Sequence, residues 1–235
     1  MHKEIDKIKE LESPTKVIKN LFSKEEINKF LALYNMLPTT VHNKKQNVIK
    51  KRWLKNINQE LENFFYTKVK NEIGDFKMDN LKDEKNEDIL GLFQESYNPI
   101  GLHVDAGFNS EEVVYKQTLI PLTPEGGTVI FKNKFYGNST NFTTNQEELS
   151  LKNLKYGQNS RSSEHLELYE NKPFNKSEYD KYLTHEKIEN LAGLEIDIVY
   201  KWELGSMLIF DRTRLHCSSS LIDGKKIGLT TFTKK

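Results

Sequence analysis

The run GLHVDAGF, residues 101–108, sets a histidine and an aspartate two positions apart. On an extended strand residues i and i+2 point to one face, so His103 and Asp105 would present an imidazole and a carboxylate side by side. Such a pair arises readily by chance in a chain with six histidines and 34 acidic residues, and alone it decides nothing. A third ligand is offered in GSMLIFDRTRLHCSSS, where a strand ends at Asp211, turns tightly, and His216 falls in the next short strand. Two histidines and one carboxylate on one side of a metal leave positions open, which suits non-haem Fe(II) that must bind a co-substrate and dioxygen together. Zn(II) or Mn(II) accepts the same ligands, so the three residues leave a metal-dependent isomerase or hydrolase open. Ten residues past His216 stands Lys226, a cation able to pair with the far carboxylate of a dicarboxylic acid chelated to iron. Lys225 competes for that role. Alternation sends the two side chains to opposite faces, and Lys226 shares its face with Gly228, Thr230 and Phe232, the set better suited to an interior.

These residues need a frame, and the pattern from Ile89 onward supplies short strands. ILGLFQESY, IGLHVD, EVVYKQTLIPL and GGTVIFKN are separated by turn-forming residues, and LEIDIVYKW, GSMLIFD, RLHCSS and KIGLTTFT follow later. About eight strands predict a sandwich or barrel with helices packed outside. Upstream, TKVIKNLF reads as a strand. SKEEINKFLALYNML reads as a helix with Ser23 and Glu26 forming a capping box and Ile27, Phe30, Leu31 and Tyr34 as its apolar stripe. NQELENFFYTKVKNEI reads as a second helix with Leu61, Phe64, Phe65 and Val69 buried. The polar segment 134–191 interrupts the strand series, holds a helix expected to open at Ser177, and is either a lid or a decoration. The expected organisation is one domain over 1–235: helical support in 1–88, a β-core in 89–133 and 192–235, and the insertion between.

Charge narrows the function classes. Thirty-five basic against 34 acidic residues leave a formal charge of +1, which argues against a dedicated nucleic-acid binder. The basic run KKQNVIKKRWLK, residues 44–55, reads as a solvated loop or strand edge, with an anion-binding patch as the rival. One cysteine, Cys217, cannot form an internal disulfide, and beside His216 it should point away from the metal as a buried apolar residue. No apolar signal segment or membrane-length run is present, so a soluble cytoplasmic protein is expected. His42, His165 and His185 fit no ligand spacing and are expected at the surface or in loops.

Taken together, His-x-Asp, the Gly-Gly-Thr strand, the distal His and the basic residue make the chain resemble the Fe(II)/2-oxoglutarate-dependent dioxygenases, most closely the prolyl 4-hydroxylase-type and phytanoyl-hydroxylase-like branches. LIPLTPEGGTVIF and NLFSKEEINKFL add to the resemblance, which covers most of 15–234 outside the insertion. It implies a mainly β fold with flanking helices: a double-stranded β-helix, jelly-roll or cupin-like, of about eight strands. It implies Fe(II) on His103, Asp105 and His216, with 2-oxoglutarate on Lys226 and dioxygen as second cosubstrate. Many relatives carry Arg and then Ser two residues on in the last strand, where this chain has Lys226 and Gly228. Asp105, in place of the Ala or Gly of halogenating members, implies hydroxylation. The implied reaction oxidises an unactivated C–H bond of a small molecule or peptidyl side chain, releasing succinate and CO2. Tyr97, Thr128 and Arg214 are further candidates for binding 2-oxoglutarate, and Gln117 and Thr118 join Thr128 as candidates for lining the pocket. The rival is a non-catalytic cupin-like module that binds a metal or ligand, for which Lys226 would be dispensable. The tyrosines Tyr156, Tyr169, Tyr179 and Tyr182 of the insertion could close over a small molecule or clasp a peptide. Oligomeric state is not legible.

Overall fold

The computed structural model describes residues 3–44, 47–79, 89–105, 112–137, 141–143, 158–160, 172–222 and 224–235. The N-terminal part contains α1 (Ile5–Glu10), β1 (Lys16–Ile18), α2 (Lys24–Met36), β2 (Val41–Asn43), β3 (Val48–Leu54), α3 (Gln59–Ile73) and β4 (Lys77–Met78). The helices start where local chemistry tells them to. Ser23 Oγ accepts the Glu26 N–H while the Glu26 carboxylate accepts the Ser23 N–H at 2.8 Å, a complete capping box. Asn58 caps α3 through the Leu61 N–H, and Gly74 ends it with a positive φ of 76°.

The β-core follows as β5 (Ile89–Ser96), β6 (Val114–Pro121), β7 (Gly127–Lys134), β10 (Ile196–Lys201), β11 (Met207–Asp211), β12 (Arg214–Ser218) and β13 (Lys226–Lys234). Between β7 and β10 lie the short parallel pair β8 (Asn141–Thr143) and β9 (Gln158–Ser160), α4 (Lys176–Tyr182) and a 3-10 helix (Ile188–Leu191). The strands form a large antiparallel sheet, β1-β11-β6-β13-β5-β3-β2 with β4 beside β13, and a three-stranded sheet, β10-β7-β12. The two sheets make the mainly β, jelly-roll core with flanking helices expected from the strand pattern.

Alternation sorts the large sheet into two faces. Outward, Trp53 of β3, Phe93 of β5, Ile120 of β6 and Leu229 of β13 join Phe30 of α2 and Phe65 of α3 in one apolar cluster. Trp53 is its hub, with ring centroids 5.1 Å from Phe65 and 6.0 Å from Phe30. Inward, Leu119, Leu208 and Phe210 meet Ile130, Tyr200 and Trp202 to plug one end of the space between the sheets. A third cluster backs the small sheet, where Val129, Phe131, Leu215 and Cys217 pack under Phe174, Leu183 and Leu191.

Several expectations are corrected. The N-terminal third is not only helical support: β1 to β4 all add to the large sheet, and β3, carrying the basic run, lies directly against β5. IGLHVD is not a strand; it touches the small sheet at the single bridge His103–His216. Leu31 and Phe64 are only partly buried, and Leu33 and Ile73 take the buried places instead. The helix of the insertion is capped by Asn175, whose Oδ1 accepts the Glu178 N–H at 3.1 Å, and not by Ser177. Tyr156, His165 and Tyr169 lie outside the described residues.

Candidate metal centre

His103 and His216 are tied backbone to backbone. The N–H of each donates to the carbonyl of the other, at 2.9 and 3.0 Å, which brings the two ring centroids to 4.1 Å. Each Nδ1 faces a carbonyl two residues earlier, Gly101 O at 2.7 Å and Arg214 O at 3.0 Å. A carbonyl can only accept, so both Nδ1 atoms carry the proton, and in a neutral ring Nε2 is then the atom that presents a lone pair. Those lone pairs converge on Asp105 Oδ2, 3.3 Å from His216 Nε2 and 3.7 Å from His103 Nε2. Metal bonds of about 2.1 Å at right angles put neighbouring ligand atoms roughly 3.0 Å apart, close to this spacing. With both rings neutral, three electron-pair donors face one another and a cation among them relieves their repulsion, so the donor set fits a divalent metal with open positions.

Electrostatics favours the ligand forms. Burial, helped by the neighbouring His216, lowers the His103 pKa to about 4, so the ring is neutral near pH 7. Burial alone would raise Asp105; positive charge at the two imidazoles and a hydrogen bond from Gln117 act the other way and hold the carboxyl well below the usual range, so a cation held at this cluster favours the carboxylate.

The ligands are braced from behind. Gln117 Nε2 donates to Asp105 Oδ2 at 2.9 Å, and the fully buried Arg212 donates from Nε to the Asp105 carbonyl at 2.8 Å. Arg212 is fixed in turn by Asp79 Oδ2 at 2.5 Å and the Thr233 carbonyl at 3.1 Å. On the other side, Glu186 Oε1 accepts the Leu102 N–H at 2.5 Å. That N–H belongs to the same peptide whose carbonyl receives His103 Nδ1–H. A carboxylate thus reaches the imidazole through one polarised peptide group, a variant of the carboxylate–histidine support that orients metal ligands.

The triad opens into a cavity of about 450 Å³ between the sheets, within the size range of small-ligand sites. Lys226 lines it together with Gly228, Thr230 and Phe232 of β13. The Lys226 ammonium donates to Ser218 Oγ at 2.5 Å and lies 5.2 Å from the centre of the Trp202 ring. No carboxylate among the described residues pairs with it, and burial lowers its pKa to about 8. The Gly-Gly-Thr motif makes this possible. Gly126 has a φ of 111°, and a Cβ there would meet the Lys226 stem at 2.9 Å; Thr128 Oγ1 accepts the Trp202 indole N–H at 3.0 Å. On β13, a Cβ at Gly228 would strike Trp202 at 2.9 Å, so glycine is what lets the indole lie beside the lysine.

Other sequence candidates divide. Gln117 and Thr128 line the cavity, whereas Thr118 faces away in the core. Lys225 points outward, 3.7 Å from Glu95 Oε2. Tyr97 is 41% exposed on the outer side, its hydroxyl donating to Glu95 Oε1 at 2.8 Å; the inward residues of β5 are the even-numbered Leu92, Gln94 and Ser96. Arg214 is also displaced from the cavity. A register shift falls between Arg214 and His216, and the guanidinium instead bonds Asp197 Oδ2 at 3.0 Å and the Phe131 carbonyl at 3.3 Å. His185 is not a free surface residue: its side chain is largely buried, with Nε2 3.9 Å from Glu186 Oε1. Sequence reasoning missed Arg212, Glu186, Gln94 and Lys50. Only Lys50 left a signal, as part of the basic run on a strand.

No protein-family model matches the sequence, and a search of curated proteins gives no match. Solved structures do match. An oxidoreductase of the 2OG-Fe(II) oxygenase family from Burkholderia pseudomallei aligns over 98% of this chain and 89% of its own at 11% identity and a TM-score of 0.51. The chain has the fold of the Fe(II)/2-oxoglutarate oxygenases. The α-ketoglutarate-dependent carbocyclase SnoK of nogalamycin biosynthesis shares this oxygenase fold over 100% of this chain and 84% of its own, at 11% identity and a TM-score of 0.51. The epimerase SnoN of the same biosynthesis aligns over 98% and 84% at 8% identity and a TM-score of 0.50. Identities this low carry the oxygenase fold; the chemistry rests on the side chains placed in it.

Proposed function

We propose that this chain is an Fe(II)- and 2-oxoglutarate-dependent oxygenase acting on a C–H bond of a small molecule or peptidyl side chain. The observation that carries the reading is the convergence of two histidine Nε2 atoms and Asp105 Oδ2 on a cavity that is also lined by a buried ammonium with no carboxylate partner among the described residues. His103, Asp105 and His216 would hold the iron, and Lys226 would take the distal carboxylate of 2-oxoglutarate. Bound there, iron and 2-oxoglutarate would supply oxidising power from dioxygen, with succinate and CO2 released.

The chain's own groups do the rest. The carbonyls of Gly101 and Arg214 fix both histidines as Nε2 donors. Gln117 occupies the carboxylate oxygen of Asp105 that faces the histidines and so sets its rotation. Phe210, its ring centroid 4.9 Å from that of His216, and Trp202 keep water from the inner end, where a charged contact to Lys226 gains strength from the low dielectric. Lys226 orients a dicarboxylate as a single fixed charge, with Ser218 holding its direction.

The test is succinate formation from 2-oxoglutarate by protein loaded anaerobically with Fe(II) and then exposed to air. Turnover abolished by Asp105→Ala, and a raised 2-oxoglutarate requirement in Lys226→Met, are expected. Metal binding without any 2-oxoglutarate binding would contradict the reading and favour a metal module or a hydrolase on the same ligands.

A further inference from the structure

The cavity holds a second lysine that the metal and the cosubstrate leave unused. Lys50 lies on β3, where it pairs with Gln94 of β5, which pairs in turn with Gly228 of β13. It lines the same cavity as the triad. With strands about 4.8 Å apart and a rise of about 3.3 Å per residue, two strands across and two residues along put Lys50 roughly 12 Å from Lys226 at the Cα atoms. The two ammonium groups therefore serve different parts of the space. Among the described residues none forms an ion pair or hydrogen bond with the Lys50 side chain, although its neighbours on the strand are engaged: Lys51 Nζ donates to the Tyr34 carbonyl at 2.8 Å and packs over the Tyr34 ring.

Charge counting shows what is left over. The described ionisable side chains lining the cavity are two cations, Lys50 and Lys226, one anion, Asp105, the Cys217 thiol, and two histidines that are neutral when they bind a metal, so the lining then carries one net positive charge. A divalent metal and a dicarboxylate dianion add equal and opposite charge, and the loaded cavity keeps that single positive charge. Asp105 is then committed to the metal and Lys226 to the distal carboxylate. The remainder sits on Lys50, half-buried and paired across the strands with uncharged Gln94 and Val41.

We propose that Lys50 is the docking point for a carboxylate of the substrate, and that the enzyme oxidises a small carboxylic acid held between Lys50 and the metal. This rests on the oxygenase reading and deepens it. A carboxylate fits better than a phosphate, because one ammonium and one amide match a single negative charge, whereas the fork-like donors that match a phosphate's further charge and oxygens are missing, no arginine lining this cavity among the described residues.

The test uses trifluoroacetate and its neutral counterpart trifluoroacetamide as probes. Each is titrated anaerobically into protein carrying Mn(II) and saturating 2-oxoglutarate, and fluorine nuclear relaxation, which the paramagnetic ion enhances for any molecule held in the cavity, is recorded. The acid is expected to bind roughly tenfold more tightly than the amide, as a charge-assisted hydrogen bond requires. Lys50→Gln should erase that preference and Lys50→Arg should keep it. Equal binding of acid and amide to the wild type, or an acid preference that survives Lys50→Gln, overturns the inference. The Lys50 side chain has no hydrogen bond to lose among the described residues, and unchanged melting temperatures of both variants confirm that folding is not being read. The Mn(II) electron paramagnetic resonance spectrum of the same samples separates the two ideas. A spectrum that responds to 2-oxoglutarate with no acid preference counts against Lys50 alone, whereas failure to load Mn(II) and 2-oxoglutarate counts against the oxygenase reading and removes this inference with it.

Discussion

The two faces of the large sheet are built from the same strands and solve opposite problems. Phe93 and Gln94 are neighbours on β5, as are Lys226 and Ile227 on β13; one of each pair packs against the helices and the other lines the cavity. The outer face is dry and aromatic, with Trp53 and Phe65 fully buried. On the inner face Lys50, Gln94, Gln117, Ser96 and Lys226 occupy positions that a β-core would ordinarily fill with aliphatic side chains. Burying such groups without full partners costs stability, and the cost is sensible where a ligand is to complete them. Changes on the outer face should therefore cost stability and spare the site, and changes on the inner face should do the reverse.

The largest expected effect lies outside. Trp53→Ala should lower unfolding free energy by about 3–5 kcal/mol, measured by urea denaturation, while the fraction that remains folded keeps its metal affinity. Next comes Lys226→Met. Losing one partner of a buried charge pair should weaken 2-oxoglutarate binding by about 2 kcal/mol or more, roughly thirtyfold, while removing an uncompensated buried charge leaves thermal stability unchanged or raised. The pH dependence sharpens the same contrast. The folded pKa of Lys226 is lowered to about 8 from 10.5, so its charge is present below about 8 and lost above, and 2-oxoglutarate affinity should fall as pH rises through that value. Between those two pH values the unfolded chain holds more protons at this lysine than the folded one, so its contribution to stability rises with pH just where affinity falls. Loss of affinity that does not follow this window would remove Lys226 from the binding role.

Smaller effects test the bracing. Glu186→Gln keeps an acceptor for the Leu102 N–H and removes the charge, so metal affinity should drop about tenfold by calorimetry with little change in melting temperature. Tyr97→Phe should do almost nothing to 2-oxoglutarate binding, because its hydroxyl bonds Glu95 on the outer side. A strong effect there would break the division between the faces.

Most of this architecture was legible because the signals were local. The capping box at Ser23, the strand runs from Ile89, and the His-x-Asp, His, Lys order all lie in short stretches. The inward set on β13 followed from alternation alone and placed Lys226 rather than Lys225 on the cavity wall. Alternation failed where register was needed. Nothing within β5 says which parity faces inward, so Tyr97 was named as a candidate and Gln94 and Ser96 were not considered. The register shift beside Arg214 likewise removed it from the face of His216. Arg212 and Glu186 act through backbone groups of Asp105 and Leu102, 107 and 84 residues away, and long-range contacts of this kind leave no periodic trace. His185 was expected at the surface or in a loop because it matches no ligand spacing; it does lie in a turn, and what the spacing could not show is that its side chain is largely buried beside Glu186.

The central claim is that one cavity holds a metal at His103, Asp105 and His216 and a dicarboxylate that needs both the metal and Lys226. Anaerobic calorimetric titration of 2-oxoglutarate into Fe(II)-loaded and metal-free protein tests it most directly. One site per chain, measurable only with the metal and lost in Asp105→Ala, is expected. Binding of equal strength with and without metal, or none when Fe(II) is demonstrably bound, would contradict it.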